Sequence, residues 1–288
     1  MTNAAEQTLV SIGHGFSARA LAARLLARGW RVIGTTRSVE KAEAIRATGA
    51  EAVIWPGTDL APLIAEASHL LISVAPDAEG DPVLRELGVP LPANRIRWAG
   101  YLSTTGVYGD RDGGWVDESS ECRPATRRGQ WRLSAEQAWA RAGLRLHIFR
   151  LAGIYGPGRG PFSKVRNGTA RRIIKPGQVF SRIHVDDIAT VLEASIARPD
   201  PGAIYNVCDD EAAPPQDVIG HAAELLGLPL PEAVDIDEAE MSPMARSFYA
   251  ESKRVSNRRI RNELGVTLAY PSYREGLAAL LARENQRA

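Results

Sequence analysis

Leu9-Val10-Ser11-Ile12-Gly13-His14-Gly15-Phe16-Ser17-Ala18 decides how this chain folds. A short apolar run leads into a G-x-G-x-x-A turn. Behind the turn Ala18, Leu21, Ala22 and Leu25 fall at i, i+3, i+4 and i+7, the spacing of one helix face, while Arg24 and Arg28 point elsewhere. Strand, glycine turn and helix, in that order, are the setting in which such a turn cradles a dinucleotide. Gly13 permits the tight turn, and Gly15 lets a pyrophosphate approach the backbone. Phe16 and Ser17 open a helix whose N-terminus favours anions, and Ala18 is small enough for helix and sheet to pack closely. Gly13, Gly15, Phe16, Ser17 and Ala18 are therefore the expected cofactor contacts, with His14 facing solvent or the phosphates.

Outward from this stretch the pattern repeats. Apolar runs at 31–35, 52–55, 70–74, 101–103, 146–149 and 204–207 read as buried strands, and 17–27 and 39–48 read as helices between them. Strand-helix alternation at this pitch predicts an α/β chain with a Rossmann-type doubly wound parallel sheet. After Asp209 the pattern changes to helices separated by turns at Pro214-Pro215, Pro229, Pro231, Pro243 and Pro271, with no strong strand run. The expected organisation is a dinucleotide-binding domain over 1–208, with a substrate-side excursion near 156–181, and a smaller, mostly helical C-terminal substrate lobe over 209–288.

At the end of the second strand an NAD site usually carries an acid that accepts from the ribose 2′-hydroxyl. Thr35-Thr36-Arg37-Ser38 stands there instead. A carboxylate would repel a 2′-phosphate, whereas a guanidinium with flanking hydroxyls binds one through charge-assisted hydrogen bonds. Arg37 and Ser38 thus favour NADP, with NAD still admissible.

Thirty-five Lys+Arg against 34 Asp+Glu leave a net charge of +1, so no global field gathers polyanions, and nucleic acid is not an expected partner. Two cysteines, Cys122 and Cys208, are too few for a disulfide framework and point to a reducing compartment. No apolar run reaches the roughly 18 residues of a membrane span, and Met1 to Gln7 lack the basic start and apolar core of a secretion signal. A cytoplasmic protein with a small-molecule substrate is expected; a homodimer is compatible with the sequence.

Four further stretches carry a family resemblance: Ser103-Thr104-Thr105-Gly106-Val107-Tyr108-Gly109, Arg150-Leu151-Ala152-Gly153-Ile154-Tyr155-Gly156-Pro157-Gly158, Ile183-His184-Val185-Asp186-Asp187 and Ile204-Tyr205-Asn206-Val207. In order and spacing the chain resembles the extended short-chain dehydrogenase/reductases, the NAD-dependent epimerase/dehydratase superfamily. The resemblance implies hydride chemistry served by a Ser or Thr and a Y-x-x-x-K pair. Thr104 matches the hydroxyl. About 24 residues beyond it, Arg128 stands for the Tyr and Arg132 for the Lys, ahead of Ala135-Glu136. A guanidinium stays protonated at neutral pH and cannot relay a proton as a phenol does, but it can hold an anion. On a helix, Arg128 and Arg132 are i, i+4 neighbours. Thr105 and Gly106 occupy the positions of the acid pair of the dehydratase branch, which disfavours sugar-nucleotide dehydration. The chain is in these respects similar to atypical members of the superfamily.

Tyr108 and Tyr155 are the remaining phenols near the expected site, each in a motif where the ring usually packs locally. His184-Val185-Asp186-Asp187 could be an acid/base or metal pair, but no further His or Cys has ligand spacing, and the resemblance implies an N-cap role for Asp186 or Asp187. Cys122 and Cys208 are read as ordinary thiols, and no G-x-S-x-G elbow supports hydrolysis. Two functions follow. One is an NADP-binding oxidoreductase or epimerase-like enzyme in which Thr104 polarises the reacting oxygen and Arg128 or Arg132 orients the substrate. The other is a catalytically idle NAD(P)-binding sensor or scaffold.

Overall fold

The computed structural model describes residues 7–91 and 95–286; all but Gln7 of the N-terminal stretch lacking secretion features lies outside them. The apolar run at the start of the chain becomes β1 (Thr8–Ile12), buried along its whole length. The turn then opens α1 (Phe16–Leu26), which sinks Ser17, Ala18, Leu21, Ala22 and Leu25 against the sheet. Then come β2 (Arg31–Thr36), α2 (Val39–Arg46), β3 (Glu51–Ile54), α3 (Ala61–Glu66), β4 (His69–Ile72), α4 (Pro82–Leu87) and β5 (Trp98–Thr104). A short 3-10 turn over Thr105–Tyr108 leads to β6 (Trp115–Val116), α5 (Arg127–Ala140), β7 (Leu146–Leu151) and β8 (Gly153–Tyr155). Next are α6 (Phe162–Arg166), β9 (Arg172–Ile174), β10 (Arg182–His184), α7 (Val185–Ala197) and β11 (Ile204–Val207). The chain closes with α8 (Pro215–Leu225), β12 (Ala233–Asp235), α9 (Pro243–Phe248), β13 (Arg254–Val255), α10 (Arg258–Asn262) and α11 (Tyr273–Asn285).

Seven strands form one sheet in the order β11-β7-β5-β4-β1-β2-β3, and every pairing is parallel. Parallel neighbours need crossovers, and a sheet covered on both faces needs strands apolar throughout. β1, β4 and β7 are buried at every position and mostly apolar, with His69, His147 and Arg150 among the buried exceptions. One face is covered by α1, α2 and α7 through Leu21, Leu25, Ile45, Ile188, Val191 and Leu192. The other is covered by α3, α4 and α5 through Ile64, Val83, Leu84, Ala135 and Trp139. Order and layering are those of an α/β doubly wound Rossmann fold.

The excursion between β8 and β10 packs with the C-terminal region. Phe162, Val165 and Ala170 share a core with Val218, Ala222, Tyr273, Leu277 and Leu280, and β9 pairs with β12. Two short strands lie beyond Asp209, where no strong strand run is expected. β12 and β13 exist, but with three and two residues they are too short to show an alternating pattern, and they form only because β9 and β6 offer parallel edges. No described helix is long and apolar enough to cross a membrane.

Candidate functional site

The first piece of the site is the glycine turn. Gly13 takes φ +82, and a Cβ there would lie 2.9 Å from Val74 Cγ2, so conformation and space both demand glycine. Its N–H donates to Thr35 Oγ1 at 2.9 Å, and Ser73 Oγ donates to its carbonyl, which ties the turn to the ends of β2 and β4. Gly15 is the N-cap of α1 and brings no side-chain cap; the nearest atom to a Cβ there would be Gly13 O at 3.8 Å. The first turn of α1 holds no acid, and among the described residues the N–H groups of Phe16, Ser17 and Ala18 meet no acceptor. Free donors, open space above Gly15 and a helix dipole fit a pyrophosphate.

His14 does not face solvent or the phosphates. Its ring lies against Gly34 in β2, so close that a Cβ on Gly34 would fall 2.5 Å from His14 Cγ. Burial holds the imidazole neutral, with its pKa lowered to about 4, and the Arg19 guanidinium pushes the same way. The glycine in β2 makes the room, a tertiary match that the turn motif alone does not reveal. At the end of that strand Arg37 is exposed, with no ion pair among the described residues. Ser38 is the N-cap of α2, its Oγ accepting from the Lys41 N–H at 3.3 Å, which leaves its own proton to donate elsewhere.

The second piece lies at the carboxyl end of β5. Thr104 is half-buried and N-caps the 3-10 turn, accepting the Gly106 N–H at 3.1 Å; its hydroxyl proton is unspent. Arg128 and Arg132 both lie on α5, yet they differ. Arg132 Nη1 reaches Val74 O at 3.2 Å, Tyr101 Oη at 3.0 Å and Leu102 O at 3.1 Å, so it stitches the ends of β4 and β5 together. Arg128 is exposed and has no ion-pair partner among the described residues. The i, i+4 spacing puts them on one face, but only the second reaches the sheet edge.

Beneath Arg132 runs a buried polar chain. Arg150 donates to Glu136 at 2.8 and 3.2 Å and to Tyr108 Oη at 2.9 Å, Ser103 Oγ donates to Glu136, and Tyr108 Oη donates to Asn206 Oδ1 at 2.8 Å. Glu136 and Arg150 are only 3% and 4% exposed. Sequence reasoning missed both, although a charge inside the apolar run of β7 has to find a partner. Burial pushes Tyr108 up to about 12, and its phenol is committed to this chain. Tyr155 is raised by burial too, lies against Gly276 and makes a long contact to Ser272 O at 3.4 Å.

The stretch 183–187 is corrected in detail. His184 is the N-cap of α7, its Nδ1 accepting from the Asp186 N–H at 3.1 Å, so neither aspartate takes that role. Asp187 turns inward and accepts the N–H groups of Ala269 and Tyr270 at 2.8 and 3.0 Å, while Asp186 pairs with Arg283 at 3.0 Å. These acids fasten the C-terminal region to α7. Cys122 and Cys208 are free.

No family model matches the chain. A functionally unknown conserved protein of Silicibacter pomeroyi DSS is 62% identical, with a TM-score of 0.92 over 96% of this chain and 99% of that one. A Methylobacillus flagellatus structure, provisionally assigned as an NAD-dependent epimerase/dehydratase, is 27% identical, with a TM-score of 0.74 over 97% and 98% of the two chains. Protein YeeZ of Escherichia coli (strain K12) is 29% identical over 277 residues, 90% of this chain and 95% of that protein. The fold also matches MoeE5 in complex with UDP-glucuronic acid and NAD, at 21% identity and TM-score 0.75 over 98% and 100% of the two chains. It matches human epimerase family protein SDR39U1 with NADPH at 17% and 0.73, over 96% and 99%.

Proposed function

We propose that this chain, an atypical extended short-chain dehydrogenase/reductase of the NAD-dependent epimerase/dehydratase superfamily, is an NADP(H)-binding oxidoreductase or epimerase-like enzyme acting on a small polar, anionic substrate. One observation carries the proposal: the Arg132 guanidinium bridges Val74 O and Leu102 O, next to the strand end whose Ser73 holds Gly13. A fixed cation thus stands between the glycine turn and Thr104, at the same sheet edge. Fold neighbours with NAD or NADPH support a nicotinamide dinucleotide, and Arg37 in place of an acid supports the 2′-phosphorylated form.

When bound, the nicotinamide would supply a two-electron hydride couple. The residues of the chain do the rest. The N–H groups of Phe16, Ser17 and Ala18 would hold the pyrophosphate, and Arg37 with Ser38 the 2′-phosphate. Thr104 would donate its free proton to the reacting oxygen, and Arg128, exposed on the same helix as Arg132, would hold an anionic group of the substrate. The arginines act as charges and not as a proton relay. A second function, idle NADP(H) binding for sensing or scaffolding, is favoured by the burial of Tyr101, Tyr108 and Tyr155, whose phenols lie inside the protein.

Titration with NADP(H) and NAD(H), beside NADPH oxidation against a panel of carbonyl compounds, separates the two. NADPH is expected to bind more tightly than NADH. Arg37→Ala should weaken it about tenfold or more, by the 1.5–3 kcal/mol of a charged hydrogen bond, with little effect on NADH. Equal affinity for both cofactors in the unmodified protein overturns the NADP assignment, and binding without turnover across the panel favours the idle protein.

A further inference from the structure

We infer that Arg159 is a second anchor for the phosphates of the bound dinucleotide, held over the glycine turn by the Tyr155-Gly156-Pro157-Gly158-Arg159 loop. The inference rests on the dinucleotide site proposed above. Gly156 and Arg159 exchange backbone hydrogen bonds, N–H to O at 3.0 and 2.9 Å, which close the loop into a tight turn. That turn sits on the first residues of two helices: a Cβ on Gly156 would lie 3.1 Å from Phe16 Cζ and 2.7 Å from Val185 Cγ1. From this mount the Arg159 guanidinium stands over the Phe16 ring, 5.8 Å from its centroid.

Phe16 directly follows Gly15, so the cation stands on the side chain of the residue that opens the helix carrying the free N–H groups. Other arginines in this region, Arg19 on α1 apart, are paired among the described residues. Arg24 and Arg28 pair with Glu193 at 2.8 and 2.9 Å, and Arg283 pairs with Asp186 at 3.0 Å. Arg159 has no acidic partner among the described residues, and α1 offers none in its first turn. A pyrophosphate carries two charges, while a helix N-terminus supplies only about half of one. A planar guanidinium braced on an aromatic face is weakly hydrated and can present two donors to phosphate oxygens. The Y-G-P-G stretch thereby gains a chemical purpose: it carries a full positive charge across from the excursion to the turn.

The test is fluorescence titration of the full chain with NADPH, and competition by 2′-AMP, which has the 2′-phosphate but no pyrophosphate. Arg159 is exposed, so its variants should fold, and thermal unfolding checks this. Arg159→Ala should raise the Kd for NADPH about tenfold and make it less dependent on salt, while Arg159→Lys recovers part of the loss and 2′-AMP binds as before. An unchanged NADPH Kd in Arg159→Ala, or an equal loss for 2′-AMP, overturns the inference and leaves the dinucleotide site standing. If the unmodified protein binds neither probe, the dinucleotide site itself is refuted and the anchor with it.

Discussion

The glycine turn and the α5 end of the same sheet edge are built on opposite plans. At the turn, polar groups are left open among the described residues: three N–H groups of α1 without acceptors, Arg37 and Arg159 without acids, and space above Gly15. Under α5 most polar groups are committed to one another, with Arg132 on three acceptors and Ser103, Glu136, Arg150, Tyr108 and Asn206 joined in one buried chain, although Asn206 Nδ2 meets no acceptor among the described residues. Unspent donors cost little at a surface that water or a ligand can reach, but they are expensive inside. The contrast fits the dinucleotide site proposed at the turn, while the helix which carries a Tyr-Lys pair in the relatives this chain resembles here serves largely as a brace, through Arg132 and Glu136. Thr104 and Arg128 at that end keep a free group.

The sharpest way to break this contrast is Glu136→Ala. It strands a buried guanidinium, and such losses cost about 3–5 kcal/mol; urea denaturation should show a drop of that order. A loss under about 1 kcal/mol would mean that the buried chain does not brace α5. Next in size is Gly15→Val. With only Gly13 O near a Cβ there, at 3.8 Å, the fold should stand while NADPH binding falls by about a hundredfold or more, roughly 2.7 kcal/mol. Retained affinity would show that the pyrophosphate lies elsewhere.

Acid sharpens the comparison further. His14 at the turn, His69 and His184 are buried and neutral, each with its pKa lowered from 6.5 to about 4. Between those values the unfolded chain binds protons that the native imidazoles refuse, so stability is full above about pH 6.5 and declines as pH falls toward 4. His14→Leu should make the decline shallower, read as the urea midpoint at pH 7 against pH 5; an unaltered slope would show His14 hydrated in solution. The smallest effect is expected from Arg128→Ala. Stability should stay within about 0.5 kcal/mol, whereas KM for an anionic substrate rises several-fold with kcat little changed. Equal KM in both proteins would demote Arg128 to a solvated side chain.

How much of this was legible beforehand depends on the range of the force involved. Strand, turn and helix around Gly13–Ala18 were readable because periodicity and a glycine's backbone freedom are local, and so was the lack of an acid at the end of β2, where Arg37 stands. Alignment alone put Arg128 and Arg132 in equivalent roles. Three acceptors from β4 and β5 set them apart, and no spacing along α5 encodes the carbonyls of distant strands. His14 was misjudged for the same reason: the space it fills exists because residue 34, twenty positions later, lacks a Cβ. The aspartates at 186 and 187 were seen as a local cap, whereas Asp187 is committed to backbone more than eighty residues away. By itself the sequence determined the parallel sheet, the glycine turn at the head of α1 and the absence of a phenol at the Arg128 position. Only the tertiary structure decided which polar groups remain free to meet a ligand, because burial and partners come from residues that the chain brings together only on folding.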